Sequence, residues 1–307
     1  MKTPEFWKTK NNISKALKPL GDVYNYFTQK RIAKAPEYIA PIPVICIGNI
    51  TAGGTGKTPV AISISKMLER PFFISRGYGG KLKEAVVDIK KHKASDVGDE
   101  PMLLAQHAPT IINANRAISA QKAVEMEAKY IIMDDGLQNP KLQKTLSFVV
   151  IDGEYGFGNF EFIPAGPMRE KQIRADAVII IGNDKFNLGK KIKKPIFYGT
   201  IAPKKPEGGA RNVKAFAGIG RPQKFYNSLR ECGFGILKTF DFPDHHQYSI
   251  ADLDAIKREA QGFEVWTTAK DFIKIPKSHQ KFFNVLEIEI KWQDEQALKD
   301  FILEKTK

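Results

Sequence analysis

The sequence is poor in cysteine and contains no long apolar run. Its 307 residues include two cysteines, Cys46 and Cys232, which are too few for a disulfide framework. Both lie in apolar or mixed segments, so we predict buried thiols in a reducing compartment. No stretch approaches the roughly 18 apolar residues of a membrane-spanning helix, and no apolar signal-peptide core follows the N-terminus. We therefore expect a cytosolic protein or one that rests on a cytosolic membrane face.

The composition is that of a globular chain with a large excess of basic residues. Hydrophobic residues make up 42% and charged residues 27%, which excludes a disordered or collagen-like chain. At about 150 residues per domain, 307 residues predict two domains. Lysine and arginine exceed aspartate and glutamate by 48 to 34, a net charge of +14. This excess indicates an anionic partner, namely nucleic acid, an acidic membrane surface or a phosphorylated ligand, or else a generally basic protein background.

The hydrophobic periodicity predicts three parts, with boundaries at 1–40, 41–205 and 206–307. In the first part, apolar residues recur at helical spacing from Asn12 to Lys34, and residues 1–40 carry eight basic and three acidic side chains. This basic amphipathic helix suits either an anionic membrane interface or packing on the protein core. The other two parts alternate short apolar strands with helices, which predicts an α/β fold with a mostly parallel sheet covered on both faces and a second, smaller α/β lobe.

Three details of this pattern are specific enough to be tested by the structure. Val86–Ile89 is predicted as a strand in a local hairpin, and Val285–Ile290 as a single strand. The stretch 185–214 contains nine basic residues and one acidic residue. Within it, Lys204–Gly209 is interpreted as an inter-domain linker or an exposed hairpin, because lysine, proline and glycine dominate it.

A glycine-rich loop between a predicted strand and a predicted helix is the most specific local signal. The P-loop pattern G-x-x-x-x-G-K-[S/T] matches in its last three positions, whereas Thr51 stands where the first glycine is expected. Such a loop turns backbone N–H groups around a phosphate, while Lys57 can reach the β- and γ-phosphates and the Thr58 hydroxyl can ligate Mg²⁺. We therefore favour a phosphate site over a merely flexible turn. Its predicted residues are Thr51, Ala52, Gly53, Gly54, Thr55, Gly56, Lys57 and Thr58.

A P-loop requires an acidic partner for its metal ion. The apolar strand Tyr130–Met133 ends in Asp134 and Asp135, which is the Walker B pattern. Asp134 ends the strand directly and is the favoured metal ligand, although either carboxylate can serve. The Asn-Lys-x-Asp run of guanine-specific proteins does not occur, since Thr268–Asp271 lacks its spacing, so we expect ATP rather than GTP.

Three polar clusters follow predicted strands, where α/β enzymes place their sites. Arg76, in a glycine-rich cluster, can neutralise phosphate charge. Asp99 can accept a proton from an attacking hydroxyl or can simply cap a helix. Asp244, His245 and His246 form the third cluster, for which we favour a catalytic or substrate-contacting Asp–His pair or plain turn structure. A metal site is disfavoured there, because successive side chains point apart and no other His-rich or Cys-rich set accompanies them.

Together these motifs resemble the tetraacyldisaccharide 4′-kinases, the lipid A 4′-kinases of Gram-negative envelope synthesis, over nearly the whole chain. The P-loop of that family characteristically begins with threonine, as it does here at Thr51. Met168, where leucine is usual, and Gln247 and Tyr248, where Pro-Phe is common, are mild departures. Besides the N-terminal basic helix, the resemblance is carried by residues 48–59, 75–79, 98–101, 134–139, 164–170, 216–220 and 242–246.

The resemblance implies the reaction and the roles of individual residues. The family transfers a phosphate from ATP to an acylated glucosamine disaccharide 1-phosphate, giving the 1,4′-bisphosphate, in a cleft between two α/β/α lobes. It implies that Asp99 is the general base for the 4′-hydroxyl and that His245 pairs with Asp99. The other implied roles are phosphate and Mg²⁺ binding by Lys57 and Thr58, metal binding by Asp134 or Asp135, phosphate binding by Arg76, and substrate contacts by Asp244 and Glu170.

The resemblance also favours a membrane partner over nucleic acid. A kinase that acts on a membrane lipid has to reach the bilayer, so the N-terminal basic helix is interpreted as an anchor on an anionic membrane surface. The expected location is peripheral, on the cytoplasmic face of the inner membrane. The alternatives are a P-loop ATPase that binds nucleic acid through its basic surface, and a GTPase-like metallochaperone, which would need a better metal-ligand cluster than His245 and His246.

Overall fold

A computed structural model describes residues 4–171, 173–209 and 211–307. The strands are Val44–Gly48 (β1), Pro71–Ser75 (β2), Glu84–Val86 (β3), Thr110–Asn113 (β4), Tyr130–Asp134 (β5), Leu146–Asp152 (β6), Ala177–Ile181 (β7), Ile196–Pro203 (β8), Asn212–Ala217 (β9), Gly235–Asp241 (β10), Val265–Thr268 (β11), Asn284–Leu286 (β12) and Ile288–Trp292 (β13). The helices are Asn12–Ile32 (α1), Lys57–Ser65 (α2), Ala94–Val97 (α3), Asp99–Leu104 (α4), Arg116–Glu125 (α5), Leu188–Lys191 (α6), Pro222–Glu231 (α7), Ile250–Ala260 (α8), Ala269–Phe272 (α9), Lys277–Gln280 (α10) and Glu295–Lys305 (α11), preceded by a short 3-10 helix at Glu5–Trp7.

Within the described ranges the strands form two sheets, each of which defines a lobe. The larger lobe has nine strands in the order β13-β8-β7-β6-β1-β5-β2-β4-β3, and the smaller lobe has four in the order β10-β9-β11-β12. All neighbouring strands run parallel except the two edge strands of the larger sheet, since β13 is antiparallel to β8 and β3 is antiparallel to β4. The two lobes confirm the predicted fold of a mostly parallel sheet accompanied by a second, smaller α/β unit.

Helices cover both faces of each sheet, as expected for buried parallel strands. Residues of α2 and α11 pack on one face of the larger sheet, and residues of α5 and α6 pack on the other. In the smaller lobe, α7 and α8 contribute to separate hydrophobic clusters. Every residue of β1, β6 and β7 is buried, which is why these strands read as continuous apolar runs in the sequence.

The chain crosses between the lobes twice. Residues 204–209 follow β8 and lead towards β9, so they are an inter-lobe connection rather than an exposed hairpin. The second crossing divides the predicted strand Val285–Ile290, which is wrong as a single strand. Glu287 separates β12, paired with β11 in the smaller sheet, from β13, paired with β8 in the larger one. The predicted lobe 206–307 therefore differs from the structure at its end, where β13 and α11 pack on the larger lobe.

Two other local predictions also differ from the structure. The hairpin at Val86–Ile89 is wrong, because β3 ends at Val86 and pairs with β4, which lies more than twenty residues further along the chain. Cys46 is buried as predicted, but Cys232 is only partly buried. Burial raises the pKa of the Cys46 thiol to about 12, so this thiol stays protonated.

The N-terminal helix α1 presents several of its apolar side chains to solvent, although Leu17 and Tyr24 are half-buried. Asn11 begins it with a capping box that includes Ser14, and the helix reaches Ile32, close to the predicted end. Ile13, Leu20 and Phe27 are 55%, 58% and 64% exposed. The buried residues of this helix are instead Ser14, Gly21 and Thr28. The interpretation in which the apolar face packs on the core is therefore wrong for these three side chains. In the described part of the chain, no helix is both long and apolar enough to cross a membrane.

Candidate active site

A cleft of about 1810 Å³ lies between the two lobes, with walls from both of them. The P-loop, Arg76 and the end of β5 line it from the larger lobe, while Asp244, His245 and Lys270 line it from the smaller lobe. The β5 and β9 strands both point their carboxyl ends towards this space, which is where open parallel sheets place their ligand sites.

Backbone contacts at one end of the P-loop and a glycine conformation at the other fix its course. Thr51 is buried and forms a β-bridge with Met168, and the Ala52 N–H donates to the carbonyl of Pro167 at 2.7 Å. These contacts give Thr51 a structural role at the position where most P-loops carry glycine. Residues 53–58 line the cleft, and Gly56 precedes α2 with a φ of +88°, a conformation that favours glycine. The N-terminus of α2 therefore faces the cleft, as phosphate binding requires.

Lys57 and Thr58 lie against the two aspartates that end β5. The Thr58 hydroxyl donates to Asp134 Oδ2 at 3.2 Å, and Lys57 Nζ lies 3.6 Å from Asp135 Oδ1. Arg169 Nη1 also donates to Asp135, at 2.9 Å and 3.1 Å to its two carboxylate oxygens. The predicted P-loop and Walker B residues therefore come together in one place, with the two carboxylates facing different partners.

The electrostatic environments of the two aspartates are opposite. Burial, together with the nearby Glu100, raises the pKa of Asp134 to about 7. Burial also acts to raise the pKa of Asp135, but Lys57 and Arg169 outweigh it and hold that pKa below the usual value. Among the described residues, Asp134 Oδ1 has no hydrogen-bond partner although it is buried. A buried carboxylate oxygen without a partner, beside a threonine hydroxyl, fits a divalent cation with oxygen ligands.

The proposed base and its histidine meet across the cleft. Asp99 is buried at the start of α4 in the larger lobe, and His245 extends from the smaller lobe. His245 Nδ1 lies 3.0 Å from Asp99 Oδ2, although 146 positions separate the two residues in the chain. The two sequence clusters therefore form one site, and they do so only because the lobes face each other.

The two adjacent histidines have different partners. His246 Nε2 lies 3.2 Å from Asp252 Oδ2, and its ring stacks on Phe242 with centroids 4.7 Å apart. His245 Nε2 lies 3.9 Å from Asp244 Oδ1, so this aspartate stands on the cleft side of the pair. The expectation that the two side chains diverge is confirmed, and only His245 faces Asp99.

Two other predicted site residues differ in placement. Arg76 is exposed and lines the cleft. Glu170 is buried and is absent from the described residues that line the cleft, and its Oε1 accepts from Gln138 Nε2 at 2.7 Å. Gln138 also donates to the carbonyl of Asn49, just before the P-loop, at 2.9 Å. Glu170 thus supports the loops around the site through Gln138, without lining the cleft itself.

Several cations that line the cleft were not among the predicted site residues, and three of them lie near the aspartates of the site. Arg169 holds Asp135, as described above, and lies within the motif at residues 164–170. Arg116 is buried beside the cleft, and burial lowers its pKa to about 10. Lys270 Nζ lies 3.8 Å from Glu100 Oε1, which joins the lobes next to Asp99. No local sequence pattern marks Arg116 or Lys270, since each reaches the cleft only through the tertiary fold.

Comparison with known proteins places the chain in one family. The family model described as LpxK, tetraacyldisaccharide-1-P 4′-kinase, matches residues 13–307. Relatives named tetraacyldisaccharide 4′-kinase include one from Paramagnetospirillum magneticum, 42% identical with 95% of each chain covered. Another, from Rhodospirillum rubrum, is 42% identical over 98% of this chain and 97% of its own length. The crystal structure of the "apo" form of LpxK from Aquifex aeolicus in complex with ATP covers 96% of this chain and 100% of its own, with a TM-score of 0.77 and 26% identity. This chain therefore belongs to the tetraacyldisaccharide-1-P 4′-kinase family.

Proposed function

We propose that this chain transfers the γ-phosphate of ATP to the 4′-hydroxyl of a tetraacyldisaccharide 1-phosphate in lipid A biosynthesis. The observation that carries the proposal is the 3.0 Å contact between Asp99 and His245 across a cleft that the P-loop also lines. One cleft thereby offers a phosphate-binding loop and a carboxylate that can accept the proton of a sugar hydroxyl. The names of the relatives support the same acceptor.

At the phosphate end, the chain supplies backbone donors and positive charge. Residues 53–58 can surround the β- and γ-phosphates with N–H groups, and Lys57 can leave Asp135 to contact them. Arg76, Arg116 and Arg169 line the same cleft. Phosphoryl transfer requires little covalent work from the protein, so its main contribution is to position the phosphates and to offset the charge on their oxygens.

Thr58 and Asp134 are the residues that would hold Mg²⁺. The unpartnered Asp134 Oδ1, the neighbouring hydroxyl and the raised pKa of Asp134 support this assignment, because a bound cation would stabilise the charged carboxylate. When bound, the ion would neutralise phosphate charge. Asp135 contacts Lys57 and Arg169 instead and would keep these cations in place.

At the acceptor end, Asp99 would take the proton of the 4′-hydroxyl as the new O–P bond forms. A carboxylate is basic enough for this step, since the proton has to leave only as the O–P bond develops. The hydroxyl oxygen has to be held at about 3 Å from the carboxylate oxygen. His245 would orient Asp99 through its Nδ1 atom and so make base catalysis depend on the approach of the two lobes. Asp244 borders the same place and is the neighbouring candidate for an acceptor contact.

A transfer assay with a modified acceptor tests this proposal. With γ-labelled ATP, Mg²⁺ and a tetraacyldisaccharide 1-phosphate in detergent micelles, we expect label to enter the lipid, and we expect ATP consumption to depend on that lipid. The matched control is the same lipid without its 4′-hydroxyl, which should accept no label. Equal labelling of both lipids, or no labelling of either, would contradict the proposal.

We also propose that α1 attaches the protein to an anionic membrane surface, at the cytoplasmic face of the inner membrane. Leu20 and Phe27 are exposed on this helix, and lysines and an arginine flank them. The small and polar Ser14, Gly21 and Thr28 face the protein instead, and a Cβ on Gly21 would lie 2.9 Å from the carbonyl oxygen of Phe162. An apolar face that points outward beside basic residues suits a lipid interface.

Vesicle binding distinguishes membrane attachment by α1 from a helix face that is simply exposed to solvent. Leu20→Gln combined with Phe27→Gln should weaken binding to vesicles that contain anionic lipid by at least tenfold, since two large apolar side chains leave the interface. The control is Leu237→Gln combined with Ile250→Gln, two exposed residues of the smaller lobe, which should bind like the unaltered chain. Unchanged binding of the α1 variant would refute the attachment.

A further inference from the structure

A buried ion pair lies in the smaller lobe behind His245. Lys274 Nζ lies 2.7 Å from Asp271 Oδ1, and both side chains are fully buried. Aspartate and lysine are rarely buried completely, and a buried ion pair is by itself a weak source of stability. The pair therefore calls for a role other than holding the lobe together.

Asp271 is connected to His245 through a single glycine. Asp271 Oδ2 accepts the backbone N–H of Gly218 at 3.0 Å, in a contact that is buried. The carbonyl of Gly218 in turn accepts the backbone N–H of His245 at 3.1 Å. A carboxylate bond to a backbone N–H is among the stronger hydrogen bonds, so it fixes the peptide that holds His245.

The backbone at His245 needs such support. Its φ of +61° lies in the left-handed region, which few residues other than glycine adopt, and it persists only where the surroundings determine it. Gly218 is closely enclosed, because a Cβ there would lie 2.9 Å from the Tyr248 hydroxyl and 3.2 Å from the carbonyl of Pro243. A shift of Gly218 would therefore move the turn that carries His245 towards Asp99.

We propose that Asp271 is a positioning residue for His245, and that Lys274 balances its buried charge. Asp271 fixes Gly218, Gly218 fixes the backbone of His245, and the imidazole then reaches Asp99 in the other lobe. This inference rests on the proposed kinase activity and on the role assigned there to His245. It adds a residue 25 positions or more from the motifs of the site, which neither the sequence pattern nor the cleft itself indicates.

The smaller lobe contains a matched control for this contact. Asp252 and Asp271 occupy the same position in a helix-capping arrangement, with Ser249 and Thr268 as the respective cap residues. The Ser249 hydroxyl donates to Asp252 at 2.8 Å, and the Thr268 hydroxyl donates to Asp271 at 2.8 Å. Asp252, however, contacts His246 rather than the backbone that holds His245. Asp252→Leu therefore removes the same kind of cap contact without touching the proposed connection.

Paired substitutions test the proposal while they keep the lobe folded. Asp271→Leu with Lys274→Met removes both buried charges and the bond to Gly218. Proteins often tolerate the replacement of a buried ion pair by apolar residues of similar size. We expect kcat to fall about tenfold, at the lower end of the loss seen when a supporting hydrogen-bond partner is removed, with KM for ATP unchanged. Asp271→Asn with Lys274→Met keeps an amide oxygen for Gly218 and should stay within about twofold of the unaltered chain. Asp252→Leu, the matched control, should do the same.

Combination with His245→Ala distinguishes positioning from general damage. If Asp271 acts through His245, then the Leu and Met pair causes no further loss of kcat in the His245→Ala background. The proposal would be overturned if the loss of kcat in the paired variant multiplied with the loss caused by His245→Ala. Full activity of the paired variant would overturn it as well. Gly218→Ala is a second variant that disturbs the same turn, and its loss should likewise disappear in that background.

A measurement without substrate keeps this inference separate from the proposed function. The ¹⁵N resonances of the His245 imidazole should shift in the variant that combines Asp271→Leu with Lys274→Met and remain unchanged in Asp252→Leu, with His92 of the larger lobe as an internal reference. An unchanged His245 signal would overturn the positioning role even if the enzyme is a kinase. A shifted signal in a chain that transfers no phosphate would leave the structural connection standing and refute the function.

Discussion

At the residue scale, Asp134 and Asp135 show how neighbouring carboxylates acquire different chemistry. Asp135 contacts Lys57 and Arg169, which keep it charged, whereas Asp134 is buried with one oxygen unpartnered among the described residues. The sequence favours Asp134 as the metal ligand because it ends the strand directly, but it gives no sign that the two carboxylates differ in their electrostatic environment. Their difference arises from which side of β5 each one occupies and from which cations the fold brings there.

This difference predicts opposite effects on stability. The raised pKa of Asp134, about 7, means that between its ordinary pKa and pH 7 the folded state holds a proton that the unfolded state has lost. Stability therefore falls as the pH rises through this range, by up to ~1.4 kcal/mol for each unit of pKa difference. Without Mg²⁺ and ATP, Asp134→Asn should be more stable than the unaltered chain at pH 8 by a few kcal/mol, and the two should converge near pH 4 in urea unfolding.

Asp135→Asn is the matched control for that experiment. Its pKa is lowered by Lys57 and Arg169, so its contribution is present above the ordinary aspartate pKa and is lost as the pH falls. We expect this variant to be less stable than the unaltered chain at pH 8. Equal effects of the two substitutions would mean that the two carboxylates share one environment.

The site residues that could be predicted are those within local motifs. The glycine loop before Lys57, the acidic end of β5 and, through the family resemblance, Asp99 and His245 all stand in short recognisable runs. Arg116 and Asp271 could not be predicted in this way, since each stands outside any such run and acts through contacts made by distant parts of the chain. Glu170 stands in a motif but supports the loops rather than lining the cleft.

At the element scale, the sequence predicts buried elements well but does not reveal the second crossing of the chain between the lobes. The strands β2 and β7 are short, largely apolar runs between polar turns, and such runs in the sequence are typical of buried strands. The strand β8 was missed, since it is only partly buried and lies in a lysine-rich stretch. The division between β12 and β13 was missed because the alternation of apolar residues continues across Glu287, whereas the switch between sheets depends on tertiary pairing.

The return of the chain to the larger lobe predicts where α11 contributes stability. Leu298 and Ile302 are fully buried and pack in the core beneath the larger sheet. Leu298→Ala should lower the free energy of unfolding by about 2–5 kcal/mol, and it should increase hydrogen exchange in β7 and β8. Glu304→Ala, at an exposed position of the same helix, is the control and should have little effect. Increased exchange confined to the smaller lobe would contradict this assignment.

At the scale of the whole molecule, ion pairs join the two lobes around the cleft. Asp152, buried at the end of β6, accepts from Arg221 Nη1 at 2.9 Å and from Lys224 Nζ at 3.2 Å, both on or beside α7 of the smaller lobe. The contact of His245 with Asp99 lies in the same cleft. The distance between the proposed base and its histidine therefore depends on how closely the lobes approach.

Removal of the cations that meet Asp152 should open the molecule. Arg221→Ala with Lys224→Ala leaves the buried Asp152 carboxylate without either cation, which favours separation of the lobes and hydration of Asp152. We expect a larger radius of gyration in X-ray scattering and a kcat at least fivefold lower. Lys238→Ala, which breaks an exposed pair with Glu259 inside the smaller lobe, should change neither quantity. An unchanged radius in the double variant would show that other contacts set the closure.

The net charge of +14 acquires a more specific interpretation from this architecture. Lys57, Arg76, Arg116 and Arg169 gather at the phosphate end of the cleft, and further basic residues flank the outward apolar face of α1. Both locations suit phosphorylated ligands, one a nucleotide and the other a lipid surface. The excess charge is thus compatible with the kinase reaction without a nucleic-acid partner.

Transfer by the Asp99→Asn variant tests the central claim most directly. The unaltered chain and the variant are compared for transfer of the γ-phosphate from ATP to the 4′-hydroxyl of the tetraacyldisaccharide 1-phosphate, with ATP affinity measured in parallel. Loss of a general base typically costs about 10²–10⁴-fold in rate. The account predicts such a loss in kcat with unchanged affinity for ATP. Transfer by Asp99→Asn at the rate of the unaltered chain, or ATP hydrolysis that responds to oligonucleotide instead of lipid, would contradict it.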